Sequence, residues 1–276
     1  MFIIFYCLKY RFFLSFLYFQ FDNFATEMMD RYFLEIAFDG TSYHGWQVQP
    51  NADSVQNQIN SCLTRLLRKE IFVQGAGRTD TGVHARQMYA HFDFEEDIPV
   101  DFVNRCNSFL PSDIQVVGCL RVKPESHCRF DALSRTYEYF ISNSKNPFFI
   151  NKAFYFYKPL NLQLMNQAIP LLLKCTDFTA FSKSNTQTKT NNCKVYSVEW
   201  KQQNNLLVFE IKADRFLRNM VRSIVGTFVE LGTEKISLSD FKQIISYKDR
   251  SRAGFSVPAC GLYLKNVEYP EDIWSK

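Results

Sequence analysis

The stretch Gln74-Gly75-Ala76-Gly77-Arg78-Thr79-Asp80-Thr81-Gly82-Val83-His84-Ala85 sets three glycines, an arginine, an aspartate and a histidine between two apolar runs. It reads as a loop that bends sharply while presenting charge. The loop is not G-x-x-x-x-G-K-[ST], so it implies no nucleotide phosphate, and no acidic pair with metal spacing accompanies it. Zinc deaminases need H-x-E and P-C-x-x-C, whereas His84 precedes Ala85-Arg86 and Pro258 precedes a lone Cys260. A metal-free reaction is favoured. A carboxylate flanked by arginine and glycines suits nucleophilic or acid/base work on an electrophilic carbon, although Asp80 taken alone could simply cap a turn.

The second informative segment follows Ala213. A helix is expected from Arg215 to Leu231, with Asp214 capping its start and Gly232 its end. At 100° per residue, Phe216, Leu217, Met220, Ile224 and Phe228 share one face, and Arg215, Arg218 and Arg222 fall together on the other. Val225, Gly226 and Val229 continue the arginine face, so Arg222 is expected to lie against something. A phosphate or a carboxylate is its natural partner.

The elements that must hold these groups read as α+β. Residues 32 to 38 alternate as a strand and end in the turn signal Asp39-Gly40, before an aromatic loop, Tyr43-His44-Gly45-Trp46-Gln47. Ser54 caps a helix bearing Val55, Ile59, Leu63, Leu66 and Leu67. Strands at 71 to 73 and 88 to 94 flank the charged loop, and a helix from Pro99 to Leu110 leads to a strand at 114 to 122. A second half repeats the rhythm. It has strands at 136 to 141 and 153 to 157, a helix from Leu162 to Lys174, strands at 194 to 201 and 206 to 213, the arginine helix, a helix from Leu238 to Tyr247 and a last strand at 262 to 267. No sequence repeat accompanies this, so two similar α+β halves, 28–133 and 134–276, are an architectural expectation.

At 276 residues, 46% hydrophobic and 22% charged, the chain has the composition of a globular protein with a large core. A net charge of +4 is only mildly basic, so a polyanion site must come from local clustering. The eight cysteines are scattered with no C-x-x-C pair, which argues against a zinc site and a disulfide scaffold and for reduced thiols in the cytoplasm. Residues 1 to 27 look foreign to the rest. Their two apolar runs fall short of the roughly 20 residues that span a bilayer, and no small-residue cleavage site follows. Translation starting at Met28 or Met29, or a dispensable tail, is the expectation there.

The segment Gly77 to Ala85 resembles the catalytic motif of the TruA family of tRNA pseudouridine synthases. Asp39 to Gln47, His127-Cys128-Arg129-Phe130, Arg135-Thr136-Tyr137-Glu138-Tyr139, Asp177 to Phe181, Phe216 to Gly226 and Gly261 to Leu264 resemble further family segments in the same order, covering about residues 30 to 270. The resemblance implies the pseudouridine synthase fold: two ferredoxin-like halves sharing a mixed, largely antiparallel sheet, with the active site in the cleft between them. It implies that Asp80 is the catalytic aspartate, attacking the sugar or helping to form a glycal while the uracil glycosidic bond breaks. Tyr137 would stack on the target base and take part in proton transfer, Arg222 would pair with Asp80, and Arg78 would displace the target nucleotide from its stem. Arg215 and Arg218 would bind RNA. A homodimer gripping the anticodon arm at tRNA positions 38, 39 and 40, with no cofactor and no metal, completes the expectation. Thr81 and Cys128 depart from the usual family residues without removing a catalytic group.

Other readings stay open on residues alone. Tyr137 could be a core strand residue, Arg222 an ordinary salt-bridged one, and Tyr43, His44 and Trp46 either a packed corner or an RNA-contacting loop. His84, His91 and His127 read as structural. A non-catalytic RNA-binding protein on the same scaffold and a uracil-releasing glycosylase are the competing functions.

Overall fold

Nine strands form one sheet in the computed structural model, which describes residues 29–183 and 188–274. The expectations about residues 1 to 27 lie outside the described residues. In chain order come β1 (Asp30–Phe38), α1 (Val55–Leu67), β2 (Gln74–Gly75), β3 (His84–Phe94), α2 (Phe102–Phe109) and β4 (Ile114–Val122). There follow β5 (Ser134–Ser142), β6 (Phe154–Tyr155), α3 (Leu162–Leu173), β7 (Val195–Gln203) and β8 (Leu206–Ala213). The chain closes with α4 (Met220–Gly232), α5 (Leu238–Tyr247) and β9 (Leu262–Glu268). The sheet order is β4-β1-β3-β9-β5-β8-β7, with β2 on β3 and β6 on β5. Only β3/β9 and β5/β6 are parallel, so the sheet is mixed and largely antiparallel, the α+β architecture expected from the sequence.

The last strand of the chain sits in the middle of the sheet. It meets β3 through two residue pairs, His84 with Tyr263 and Ala85 with Leu264. One core, with Phe33, Trp46, Ile59, Met88 and Phe92, lies on the β4-β1-β3 side of this seam. Another, with Tyr139, Phe181, Phe209, Phe228 and Phe241, lies on the other side. Each fully buried ring of this kind stabilises the fold by roughly 1.5–3 kcal/mol. Tyr137 packs against both cores, which places it on the seam.

Local chemistry explains most element ends. Ser54 Oγ accepts from the Asn57 N–H at 3.3 Å to start α1, as expected. Ser237 and Asp240 form a reciprocal capping box on α5. Several boundaries differ from the sequence reading: no strand forms at 71 to 73, the strand expected at 153 to 157 is only β6, the helix expected from Pro99 spans only Phe102–Phe109, and two further differences bear on the site. The charged loop is shorter than it looks, because Gln74-Gly75 pairs with His91 and Ala90 and β3 already begins at His84. The arginine helix begins at Met220 rather than Arg215. Asp214 does not cap it: its carboxylate accepts from the Lys194 and Arg215 N–H groups instead, and Asn219 adopts φ 66°, a left-handed turn that interrupts any helix begun earlier. Arg215 and Arg218 therefore stand on the approach to α4, and the three arginines do not share a helical face. Among the described residues no helix is long and apolar enough to cross a membrane.

Candidate active site

Four tight contacts hold the loop that carries Asp80. Gly82 takes φ 77°, and its N–H donates to the Tyr43 carbonyl at 3.3 Å. Gly45, at φ 94°, lies so close to the loop that a Cβ there would stand 2.4 Å from the Thr79 carbonyl oxygen. Trp46 N–H donates to that carbonyl at 3.4 Å, and Val83 N–H closes the turn onto the Asp80 carbonyl at 3.2 Å. The aromatic loop is thus a packed corner in which Tyr43 and Trp46 are buried and only His44 is exposed. Tyr43 donates to Asp113 at 2.6 Å, and burial ahead of this hydrogen bond pushes its phenol well above the usual range.

The loop is then plugged into the far side of the seam. Val83 is buried in the β5-β8-β7 core, not in the core of its own strand. The next residue, His84, accepts from the Gly40 N–H at its Nδ1 (3.1 Å) and lies 3.1 Å from the Cys260 carbonyl at its Nε2. Nδ1 also lies 3.0 Å from Asp39 Oδ1, and the ring stacks on Tyr263 at 4.4 Å. His84 is structural, as its residue type alone suggested.

Asp80 faces two of the expected arginines. Its Oδ2 lies 3.5 Å from Arg222 Nη1 and its Oδ1 lies 3.4 Å from Arg218 Nε. Arg222 is the better fixed, being 20% exposed against 60% for Arg218, and its Nε donates to the Val257 carbonyl at 2.8 Å. The 254–257 segment that supplies this carbonyl rests on α4 through glycines. A Cβ on Gly226 would meet the Phe255 carbonyl oxygen at 1.7 Å.

Tyr137 completes the cluster. It is half-buried, and Phe216 meets its ring edge-on at 5.0 Å. Burial pushes its phenol up to about 12, with the Asp80 charge adding to that and Arg135 opposing it. The hydroxyl is therefore protonated at neutral pH. The geometry brings together Asp80, Arg218, Arg222 and Tyr137. Arg78 is exposed and Arg215 half-buried, and neither pairs with Asp80.

Asp80 thus lies between two guanidiniums on a partly open surface, in a chain whose sequence matches known proteins over most of its length. Residues 175–270 match a family model described as tRNA pseudouridine synthase. A tRNA pseudouridine synthase A from Bacteroides fragilis is 50% identical over 249 residues, 89% of this chain and 99% of that protein. The Porphyromonas gingivalis protein of the same name is 47% identical over 251 residues, 89% of this chain and all of its own length. One from Francisella tularensis is 36% identical over 246 residues, 88% of this chain and 95% of that protein. The chain belongs to the tRNA pseudouridine synthase A family. Pseudouridine synthases are isomerases, and the fold described above is theirs.

Within this family member, one group at the site escaped the sequence reading. Arg135 was visible as part of a family segment, but its role was not. Its guanidinium donates to four carbonyls, those of Ala132 (3.0 Å), Asp214 (2.9 Å), Ala76 (3.3 Å) and Arg129 (2.5 Å). Burial lowers its pKa without depriving it of charge. It fastens the start of the Asp80 loop to the segment leading into Arg218. No periodicity signals such a residue, because its partners lie at 76, 129, 132 and 214.

Proposed function

We propose that this chain isomerises uridine to pseudouridine in tRNA, at positions 38, 39 and 40 of the anticodon stem-loop. The placement of Asp80 between Arg222 and Arg218, beside the Tyr137 ring, carries the reading. A uridine in a stem must leave its stack before a side chain can reach its sugar, and an aromatic face is what receives a flipped base. Arg78, exposed at the lip of the loop, suits the displacement, and Arg215 and Arg218 suit the phosphates.

Asp80 attacks C1′ of the ribose as the bond to N1 breaks, and the uracil leaves with the electron pair. The base turns over, C5 attacks C1′ and displaces the carboxylate, and the C5 proton moves to N1, so product and substrate have the same mass. In the glycal route Asp80 instead takes the C2′ proton as the uracil leaves, a C1′=C2′ double bond forms, and the proton returns to C2′ as C5 bonds to C1′. Arg222 compensates the carboxylate in the empty site and again when it departs. A phenol near pKa 12 is a poor proton acceptor at neutral pH, so stacking is the main role of Tyr137.

Asp80→Asn tests the proposal directly. It is expected to abolish pseudouridine formation while tRNA binding survives, since phosphate contacts supply most of the affinity. Retained activity would overturn the chemistry, and released free uracil from the wild type would indicate a glycosylase. We further propose a cytoplasmic homodimer that grips the anticodon arm. Light scattering with and without tRNA checks the dimer, and a monomeric complex would refute it.

A further inference from the structure

A second cluster of reactive side chains joins β3 to the turn after β4. His91 on β3 and His127 and Cys128 in the turn after β4 each bring one ligand atom to a common point, all three within 4.8 Å of one another. His91 and Cys128 are buried and His127 is half-exposed, which leaves a way in from solvent. Spacing along the chain gave no metal motif, because His127 lies 36 positions after His91. The fold supplies one.

We propose that His91, His127 and Cys128 bind a thiophilic divalent ion of the zinc class. Two imidazoles and a thiol are the donors such an ion prefers. With Zn–N near 2.0 Å and Zn–S near 2.3 Å, tetrahedral binding sets the ligand atoms about 3.3 to 3.5 Å apart. His91 Nδ1 already lies 3.1 Å from Cys128 Sγ, close to that separation.

A cysteine ligates as its thiolate. Binding therefore replaces the S–H bond with a metal–sulfur bond and releases one proton to solvent. That proton now engages the Gln74 carbonyl, 2.9 Å from Sγ. With the proton gone, this carbonyl oxygen or a water is free to take the fourth position. Either way the ion fastens the turn at 127 and 128 to β3 and to Gln74, six residues before Asp80. It would stiffen the entry to the loop without touching the reacting atoms.

The test uses the full-length chain, stripped with chelator and titrated with cobalt(II) as a coloured stand-in for zinc. One equivalent of cobalt is expected to give a thiolate charge-transfer band with tetrahedral visible bands, and zinc should displace it. Cys128→Ala should lose the charge-transfer band, and His127→Gln should weaken binding by about tenfold or more. Zinc should raise the thermal midpoint of the wild type and not that of Cys128→Ala. Absence of a saturable band, or a band that survives in Cys128→Ala, overturns the site. If Cys128→Ala fails to fold, His127→Gln at a half-exposed position decides, and unchanged affinity there also overturns it.

Discussion

Replacing Arg222 by Ala should cost the reaction far more than replacing Arg218 by Ala, although both guanidiniums approach Asp80 at about the same distance. Two unit charges 3.5 Å apart attract by about 5 kcal/mol at an effective dielectric of 20, and desolvation and side-chain ordering offset much of that. What survives depends on exposure. Arg222 is 20% exposed and anchored at 2.8 Å to the Val257 carbonyl, so its charge is poorly screened and its geometry already set. Arg218 is 60% exposed, where such pairs are worth about 0 to 1 kcal/mol. With about 2.7 kcal/mol at stake, Arg222→Ala should slow single-turnover pseudouridine formation about 100-fold at saturating tRNA. Arg218→Ala should slow it by no more than about fivefold and act chiefly on tRNA affinity. A double-mutant cycle on urea unfolding with Asp80→Asn should give a coupling of about 1–2 kcal/mol for Arg222 and less than about 0.5 kcal/mol for Arg218. Equal rate losses, or an Arg222 coupling no larger than that of Arg218, would refute the idea that burial decides which arginine serves the carboxylate.

Three further outcomes follow from the same geometry. Tyr137→Phe keeps the ring and should retain most activity at neutral pH, whereas Tyr137→Ala should weaken productive binding of target RNA by about 1–3 kcal/mol; steady-state kinetics separates them, and equal loss in both would restore a chemical role to the hydroxyl. Burial lowers the folded His84 pKa below the unfolded value of about 6.5, so its contribution to stability is complete above that pH and declines as pH falls below it. Urea midpoints measured from pH 7 to 5 should fall less steeply in His84→Asn than in the wild type, and parallel curves would count against this. Gly226→Ala would gain about 1 kcal/mol of helix propensity but must push its Cβ away from a carbonyl oxygen 1.7 Å distant, so overpacking of about 1–3 kcal/mol should win and lower both the unfolding midpoint and the rate.

What could be read from the sequence was whatever one element settles for itself. The alternation at 32 to 38 makes β1, Ser54 caps α1, and the apolar face from Leu238 makes α5, because the period and the cap are local. The arginine helix was misjudged at its start for a physical reason. Residues 215 to 219 are compatible with helix, but the Asp214 carboxylate is held by the Lys194 N–H across the open end of the β7–β8 hairpin, and that partner lies twenty residues away. The error matters for the site, since Arg218 reaches Asp80 from the approach to α4 rather than from its face. The charged loop shows the same limit from the other direction. Its glycines announced a bend, yet the bend would leave Asp80 unplaced if Val83 did not enter the core across the seam and Arg135 did not grip the Ala76 carbonyl. The residues that perform chemistry are therefore visible in the sequence as types and motifs. The residues that aim them are visible only once the last strand, β9, has come back to lie between β3 and β5. A substitution at Val83 or Arg135 should accordingly damage the site as surely as one at Arg222, although it deletes none of the groups that touch Asp80.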